Sequence, residues 1–451
     1  MKEKISKGLL LNTLFIALTF LWTGSVYLSW TEHLALLADS NVTYIVTEVG
    51  GYVTQIIGLI LFSLLVYYDR RILKNLLIVI FMILDGLCII PVVFSDSAQT
   101  VIISGMMMNL FHGLIAGYYI TRLSVFVQKN RRGICFGAGY AAGSIGSYLL
   151  SLPNGGRFLA SGLVGMVYLL MIACSCVLIM FMYKNDAEAD DMAQAANVTV
   201  NSVCKLTAVV IFLLCLTTQL QFFFPAKAFI NQSLKLEFAR MFYAVGLILA
   251  AVVNDKNRGA GLILALLSIS FSVLSINMSQ IPLLLVPLAI IGYIVTGFWA
   301  VYRIVAFIDL ADDNSSLLFM SAFGLLIGRM GEATGAMMGY LLRDRQLELA
   351  VVSAVLFGLS IISAFLLYTI RYGSVPAAAA ENRSERFFAQ YDISLREQQI
   401  FKLIIEGKTN IEAANALYIS ESTVKFHVKN LLRKTECKNR KELIRKFQGY
   451  S

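Results

Sequence analysis

The chain has 451 residues, 58% of them hydrophobic and only 14% charged, with a formal net charge of +9. Soluble domains run closer to about 45–50% apolar and about 25% charged, so an ordinary soluble protein is excluded and a membrane protein is expected. Residues 381–451 hold 14 Lys/Arg against 9 Asp/Glu, a cationic tail suited to a polyanion such as nucleic acid or anionic lipid headgroups.

Met1 to Lys7 precede an apolar run to about Trp30. That run is too long for a signal-peptide core and carries no Ala-x-Ala-like cleavage site, which predicts a retained first span. With roughly 20 apolar residues per span, the sequence predicts twelve helices, near 8–30, 46–68, 73–94, 99–121, 133–152, 158–183, 204–224, 236–253, 259–277, 281–303, 316–341 and 348–371. The longest polar break, 184–203, divides them into two sets of six. Lys2, Lys4, Lys7, Arg70, Arg71, Lys74, Lys129, Arg131 and Arg132 fall on alternate connections, facing little beyond Arg157 on the others. This asymmetry predicts a multi-pass protein of a bacterial-type cytoplasmic membrane with both termini cytoplasmic and the lipid bilayer as a partner. In the second half, Lys256 and Arg258 inside compete with Lys227, Lys235, Arg343 and Arg345 outside.

Tyr68-Asp69-Arg70-Arg71 after the second span has a counterpart in Asn254-Asp255-Lys256-Asn257-Arg258 after the eighth, and Tyr119-Ile120-Thr121-Arg122 echoes Val301-Tyr302-Arg303. Two six-span halves with an acid–base cluster at the second inner loop resemble the major facilitator superfamily, whose halves are parallel repeats. Leu65 and Ile72 or Leu73 stand where that family usually has glycines. Glycine-rich stretches at 137–146 and 328–339 place small residues at helical spacing, where backbones approach closely in lipid. Polar groups inside apolar runs are the ligand-site candidates, because hydrocarbon penalises them unless they are paired or wetted. They are Asp85, Asn109, His112, Gln219, Gln221, Arg329 and Glu332. Arg329 and Glu332, three apart on one helix, can also simply neutralise each other.

Seven cysteines lie scattered, mostly in apolar runs, and His33, His112 and His427 form no metal-ligand spacing or triad, so no catalytic residue, metal or cofactor is predicted. The domains expected are a membrane domain at 1–372, a Gly/Ser/Pro/Ala linker at 373–389 and a soluble domain at 390–451. In the last, periodicity predicts helices near 395–406, ended by Gly407, and near 410–417. A third follows at about 421–434, capped by Ser420, and a fourth starts at Asn439. Val424, Val428, Leu431 and Thr435 form the inward stripe of the third helix, while Lys425, Lys429 and Arg433 recur on one outward face, as a helix entering a DNA major groove requires. Lys408, Thr409, Asn410, Ser420, Ser422, Thr423, Asn430 and Lys434 lie near helix ends, where their groups suit phosphates.

Thr423-Val424-Lys425-Phe426-His427-Val428-Lys429-Asn430, preceded by Gly407-Lys408-Thr409-Asn410 and Ile419-Ser420 and followed by Lys434 and Asn439-Arg440, resembles the LuxR-type (GerE/FixJ) four-helix DNA-binding domain. The resemblance implies base contacts from Lys425, Phe426 and Lys429, and backbone contacts from Ser420, Ser422, Thr423 and Asn430. It also implies dimer pairing on DNA through the last helix. Glu436-Cys437 replaces the usual Gly-Val and Thr435 a usual Leu. The fold expected is therefore all-α, a facilitator-like bundle of about twelve spans carrying a LuxR-type helix-turn-helix domain. The function expected is a one-component regulator that senses an unidentified small molecule and binds double-stranded promoter DNA. The alternative is a secondary transporter with a regulatory tail.

Overall fold

The computed structural model describes residues 2–69, 72–73, 76–154, 158, 162–185, 202–230, 240–278, 285–313, 315–372, 384, 387–388, 390–405, 408–417 and 419–448. Among the described residues the regular structure is entirely helical, and the chain divides into two compact units, Met1–Arg371 and Tyr372–Ser451. Arg70, Arg71, Lys74, Arg157, Lys235, Gly407 and most of the expected linker lie outside the described residues.

The first unit contains α1 (Lys2–Leu37), α2 (Ser40–Tyr44), a π-helical stretch (Ile45–Gly50), α3 (Gly51–Tyr68), α4 (Leu77–Phe94), α5 (Ala98–Phe126), α6 (Arg132–Ser151) and α7 (Gly162–Asn185). It continues with α8 (Ser202–Ile230), α9 (Arg240–Lys256), α10 (Arg258–Met278), α11 (Leu285–Asp313), α12 (Phe323–Leu341) and α13 (Gln346–Leu367). Among the described residues, nine helical stretches are long and apolar enough to cross a bilayer. Helices α6, α9 and α10 stand at three further places where the sequence predicts spans. Several helices overrun their predicted ends. The second expected span begins at Ser40, where the Asp39 side chain accepts hydrogen bonds from the N–H groups of Asn41 and Val42, and α11 continues ten residues past Arg303.

Glycine sets the closest helix crossings. A Cβ added at Gly331 or Gly335 of α12 would lie 2.5 and 2.4 Å from carbonyl oxygens of α8, and one at Gly143 of α6 would lie 2.9 Å from a carbonyl of α1. Both glycine-rich stretches therefore act as packing faces. Large apolar side chains are exposed along α4 (Ile80, Ile83, Leu87), α7 (Leu163, Met166, Leu170) and α13 (Leu347, Val351, Ile362), a surface unsuited to water.

The second unit consists of α14 (Leu395–Ile405), α15 (Asn410–Leu417), α16 (Glu421–Lys434) and α17 (Arg440–Gln448). Ile400, Phe401, Ile404, Ala413, Ala414, Val424, Leu431 and Leu443 form its core. Phe387 and Phe388, which the sequence assigns to the linker, join that core, with Phe387, Phe401 and Phe447 ring centroids 5.1–5.4 Å apart. The helix starts are set by side chains. Ser394 with Glu397 and Thr409 with Glu412 make reciprocal capping boxes, Ser420 accepts from the Thr423 N–H, and Asn439 accepts from the Glu442 N–H.

At the end of α16 the Cys437 N–H reaches back to the Leu432 carbonyl, Cys437 is buried, and Glu436 has φ 55°. This is a Schellman turn whose left-handed position holds glutamate instead of glycine. Glu436→Gly is expected to stabilise fragment 381–451 by about 1 kcal/mol, since a left-handed non-glycine residue costs that order. Urea unfolding of the two fragments would measure it, and a destabilised variant would refute it.

Candidate functional site

In the second unit, α16 follows α15 after a short turn and presents Lys425, Phe426, Lys429 and Arg433 to solvent while burying Val424, Leu431 and Thr435. Phe426 is 60% exposed, an unusual position for a phenyl ring with no structural task. Lys425 pairs with Glu421 at 2.8 Å one turn earlier, an exposed contact of little energetic weight. At the start of α16 the hydroxyl of Ser420 lies 2.8 Å from that of Ser422 and 2.7 Å from that of Thr423, so three hydroxyls gather at a helix N-terminus whose Thr423 N–H is already capped by Ser420. Ser422 is exposed and Asn430 half-buried. Thr409 caps α15, Asn410 begins it, and the Lys408 carbonyl accepts from Arg440.

Lys434 is turned the other way. Its ammonium donates to the Asp392 carbonyl at 2.6 Å and to Glu397 at 2.8 Å, tying the end of α16 to the start of α14. Burial pushes the Glu397 carboxyl up, but the bond from Lys434 and the Ser394 N–H more than offset this and hold it below the usual carboxylate range. A depressed carboxyl contributes stability above its unfolded value of about 4.3 and loses it as the pH falls through the lower folded value. Fragment 381–451 is therefore expected to lose stability as the pH drops below about 4. Glu397→Gln should flatten that dependence and cost about 1–3 kcal/mol at neutral pH, as urea titrations at several pH values would reveal.

This arrangement is that of a helix-turn-helix DNA-binding domain. Residues 392–447 match the family described as bacterial regulatory proteins, luxR family, and through this domain the chain belongs to that family. The chain is 32% identical over 62 residues to the spore germination protein GerE of Bacillus subtilis (strain 168), covering 14% of this chain and 84% of that protein. It is 37% identical over 109 residues to the nitrate/nitrite response regulator protein NarL of Escherichia coli (strain K12), covering 23% of this chain and 47% of NarL. It is 50% identical over 50 residues to the uncharacterized transcriptional regulatory protein YhcZ of Bacillus subtilis (strain 168), covering 11% and 23%. The match thus spans about half the length of NarL, whereas GerE consists of little besides this domain.

The first unit contains a partly open cavity of about 360 Å³ lined from α1, α3, α5, α6, α9, α11 and α12. Its wall carries Arg303, Arg329 and His112 together with six tyrosines, Phe20 and Phe136. Arg303 and Arg329 meet on Glu332, Nη1 to Oε1 at 2.6 Å and Nη1 to Oε2 at 2.7 Å. Each guanidinium also faces a ring, Arg303 that of Trp299 at 4.4 Å and Arg329 that of Tyr52 at 4.8 Å. Glu332 is therefore shared between two arginines instead of simply neutralising its helix neighbour.

Of the other described sequence candidates only His112 lines the cavity. Asp85 and His112 are both buried and lie 3.3 Å apart, Asp85 Oδ2 to His112 Nε2. Asn109 accepts from Gln55 at 2.7 Å and donates to the Gly105 carbonyl, a bond that pins α3 to α5. Gln219 donates to Glu48 at 3.2 Å, and the side chain of Gln221 lies outside the described residues.

Sequence reasoning missed Glu48, Arg303 and Asp309. Glu48 sits in the π-helical stretch and accepts from Tyr27, Tyr52 and Gln219; an acidic residue a few positions inside an expected span was the available signal. Asp309 binds Arg258 at 2.7 Å and Arg132 at 3.3 Å, while Asp255 accepts from the N–H groups of Gly133 and Ile134 at the start of α6.

Proposed function

We propose that this chain is a membrane-embedded one-component transcriptional regulator whose bundle senses a small molecule and whose C-terminal domain binds promoter DNA as a dimer. The observation that carries the reading is a luxR-family domain on the same chain as nine membrane-capable helices among the described residues and a cavity lined by arginines, a histidine and tyrosines. In this reading the bundle has twelve spans in two facilitator-like halves, and both termini face the cytoplasm, where DNA is. Two features support the halves. The helices at the sixth and twelfth span positions, α7 and α13, are the least buried of the nine membrane-capable stretches among the described residues. The second span packs on the eleventh as the fifth does on the eighth, through α3 with α12 and α6 with α9.

Lys425, Phe426 and Lys429 are assigned to base edges. Ser420, Ser422, Thr423 and Asn430 are assigned to phosphates, joined by Lys408, Thr409, Asn410 and Arg433 around them, whereas the Lys434 ammonium is engaged by Glu397 and the Asp392 carbonyl and leaves the expected set. Selection of sites from a random DNA pool by fragment 381–451, at two salt concentrations, tests this. Enrichment of a two-half sequence supports the regulator, and the salt slope counts the phosphates contacted. Weak, sequence-blind binding would refute it.

The cavity, lined from both ends of the chain's order, favours a second reading as a secondary transporter with a regulatory tail. Accumulation of a labelled substrate in vesicles carrying the protein would establish that activity.

A further inference from the structure

We propose that the cavity of the first unit binds a small aromatic monocarboxylate, with the carboxylate on Arg303 and Arg329 and the ring against the tyrosine and phenylalanine wall. This rests on the reading of the bundle as the ligand-sensing part. The charge of the wall comes first. Among the described residues that line the cavity there are two arginines and a histidine but no aspartate or glutamate. Glu332 stands behind the arginines and is divided between them, so the pair keeps one positive charge in excess. Glu48 does not line the cavity, and its oxygens already receive three donors from Tyr27, Tyr52 and Gln219.

The hydrogen-bond inventory points the same way. A guanidinium offers five N–H groups, yet each arginine gives Glu332 a single nitrogen. The Nε atoms of Arg303 and Arg329 are buried with no partner among the described residues, and Arg303 as a whole is 6% exposed. The Nε atoms are closed off from the cavity, but a carboxylate in it matches the planar fork of a guanidinium and complements the excess charge of the Arg303–Arg329–Glu332 triad.

The rest of the wall selects the body of the ligand. Phe20 stacks on Tyr140 at 3.8 Å and 13°, Tyr140 meets Tyr243 edge-on at 5.2 Å, and Tyr243 lies 6.4 Å from Tyr293. These rings form a continuous aromatic surface running from α1 through α6 and α9 to α11, on which a planar ring can stack. A volume of about 360 Å³ is at the low end for small-molecule sites, about 300–1,000 Å³, which restricts the occupant to a compact molecule.

The test uses the full-length protein in lipid nanodiscs. Its thermal midpoint is followed against benzoate and 3-phenylpropionate, their neutral amides, and 2-phenylethylamine. Saturable stabilisation by the carboxylates alone is expected, with at least a tenfold loss of apparent affinity in Arg329→Gln, which leaves the Arg303–Glu332 pair in place. If that variant does not fold, Arg329→Lys keeps the charge but loses the fork and is expected to bind at least fivefold more weakly. Equal or better binding of the amine, no binding of any probe, or carboxylate binding unchanged in the variants would overturn the assignment. Occupancy of the selected DNA site, read in the same samples, separates the two claims. Carboxylates that bind without altering occupancy refute sensing and keep the ligand class, and an amine that binds and alters occupancy does the reverse.

Discussion

Replacing Lys425 and Lys429 together by alanine is expected to weaken binding of fragment 381–451 to its selected DNA site about a hundredfold or more. The two ammonium groups lie one turn apart on the exposed face of α16, beside the exposed ring of Phe426. Each good base contact is worth about 1–3 kcal/mol, and about 1.4 kcal/mol is a factor of ten. The fold should be indifferent to the change. Lys429 is exposed, and the Lys425–Glu421 pair is of the solvated kind that contributes about 1 kcal/mol or less. Circular dichroism and the urea midpoint are therefore expected to match the wild type while binding collapses. Binding retained within threefold would remove α16 as the reading helix.

Replacing Glu332 by alanine is expected to be the most damaging single change in the first unit. Glu332 is 3% exposed and is the shared partner of two guanidinium groups. Its loss leaves two cations facing each other in a low-dielectric bundle, a cost of roughly 3–5 kcal/mol by analogy with other broken buried pairs. The variant should be depleted from the membrane fraction and aggregate early when heated in mild detergent. A second change, Arg329→Gln, should recover part of the loss by removing one of the opposed charges. If Glu332→Ala melts within a few degrees of the wild type, the triad is not a keystone of the bundle.

The contrast between the two units shows what the sequence can carry. In the second unit every helix start was readable, because Ser394, Thr409, Ser420 and Asn439 act on N–H groups within a few residues of themselves, and local chemistry is visible in a local string. Phe387 and Phe388 were misread as linker because their partners, Phe401 and Phe447, are distant in sequence. In the first unit the apolar runs announced the helices, but length counting stopped some of them too early. Arg303 was read as a terminal residue, yet α11 runs on to Asp313 and places both Arg303 and Asp309 inside the fold. Glu48 was lost for the mirror-image reason, since its span begins at Ser40. Arg329 and Glu332 were noticed, but the third member of their cluster lies on another helix and no spacing rule could recruit it.

Helix α11 carries Arg303 at the cavity, Ala306, and Asp309 among Arg132 and Arg258, all within about 9 Å along its axis. The main-chain oxygen of Ala306 accepts from Arg371, the final residue of the first unit, at 3.3 Å. That clasp is held by backbone on one side, so it depends on the course of α11 and not on the Ala306 side chain, which is buried in the core. Changes to the side chains around Arg303 can accordingly leave that clasp intact, so long as α11 keeps its course.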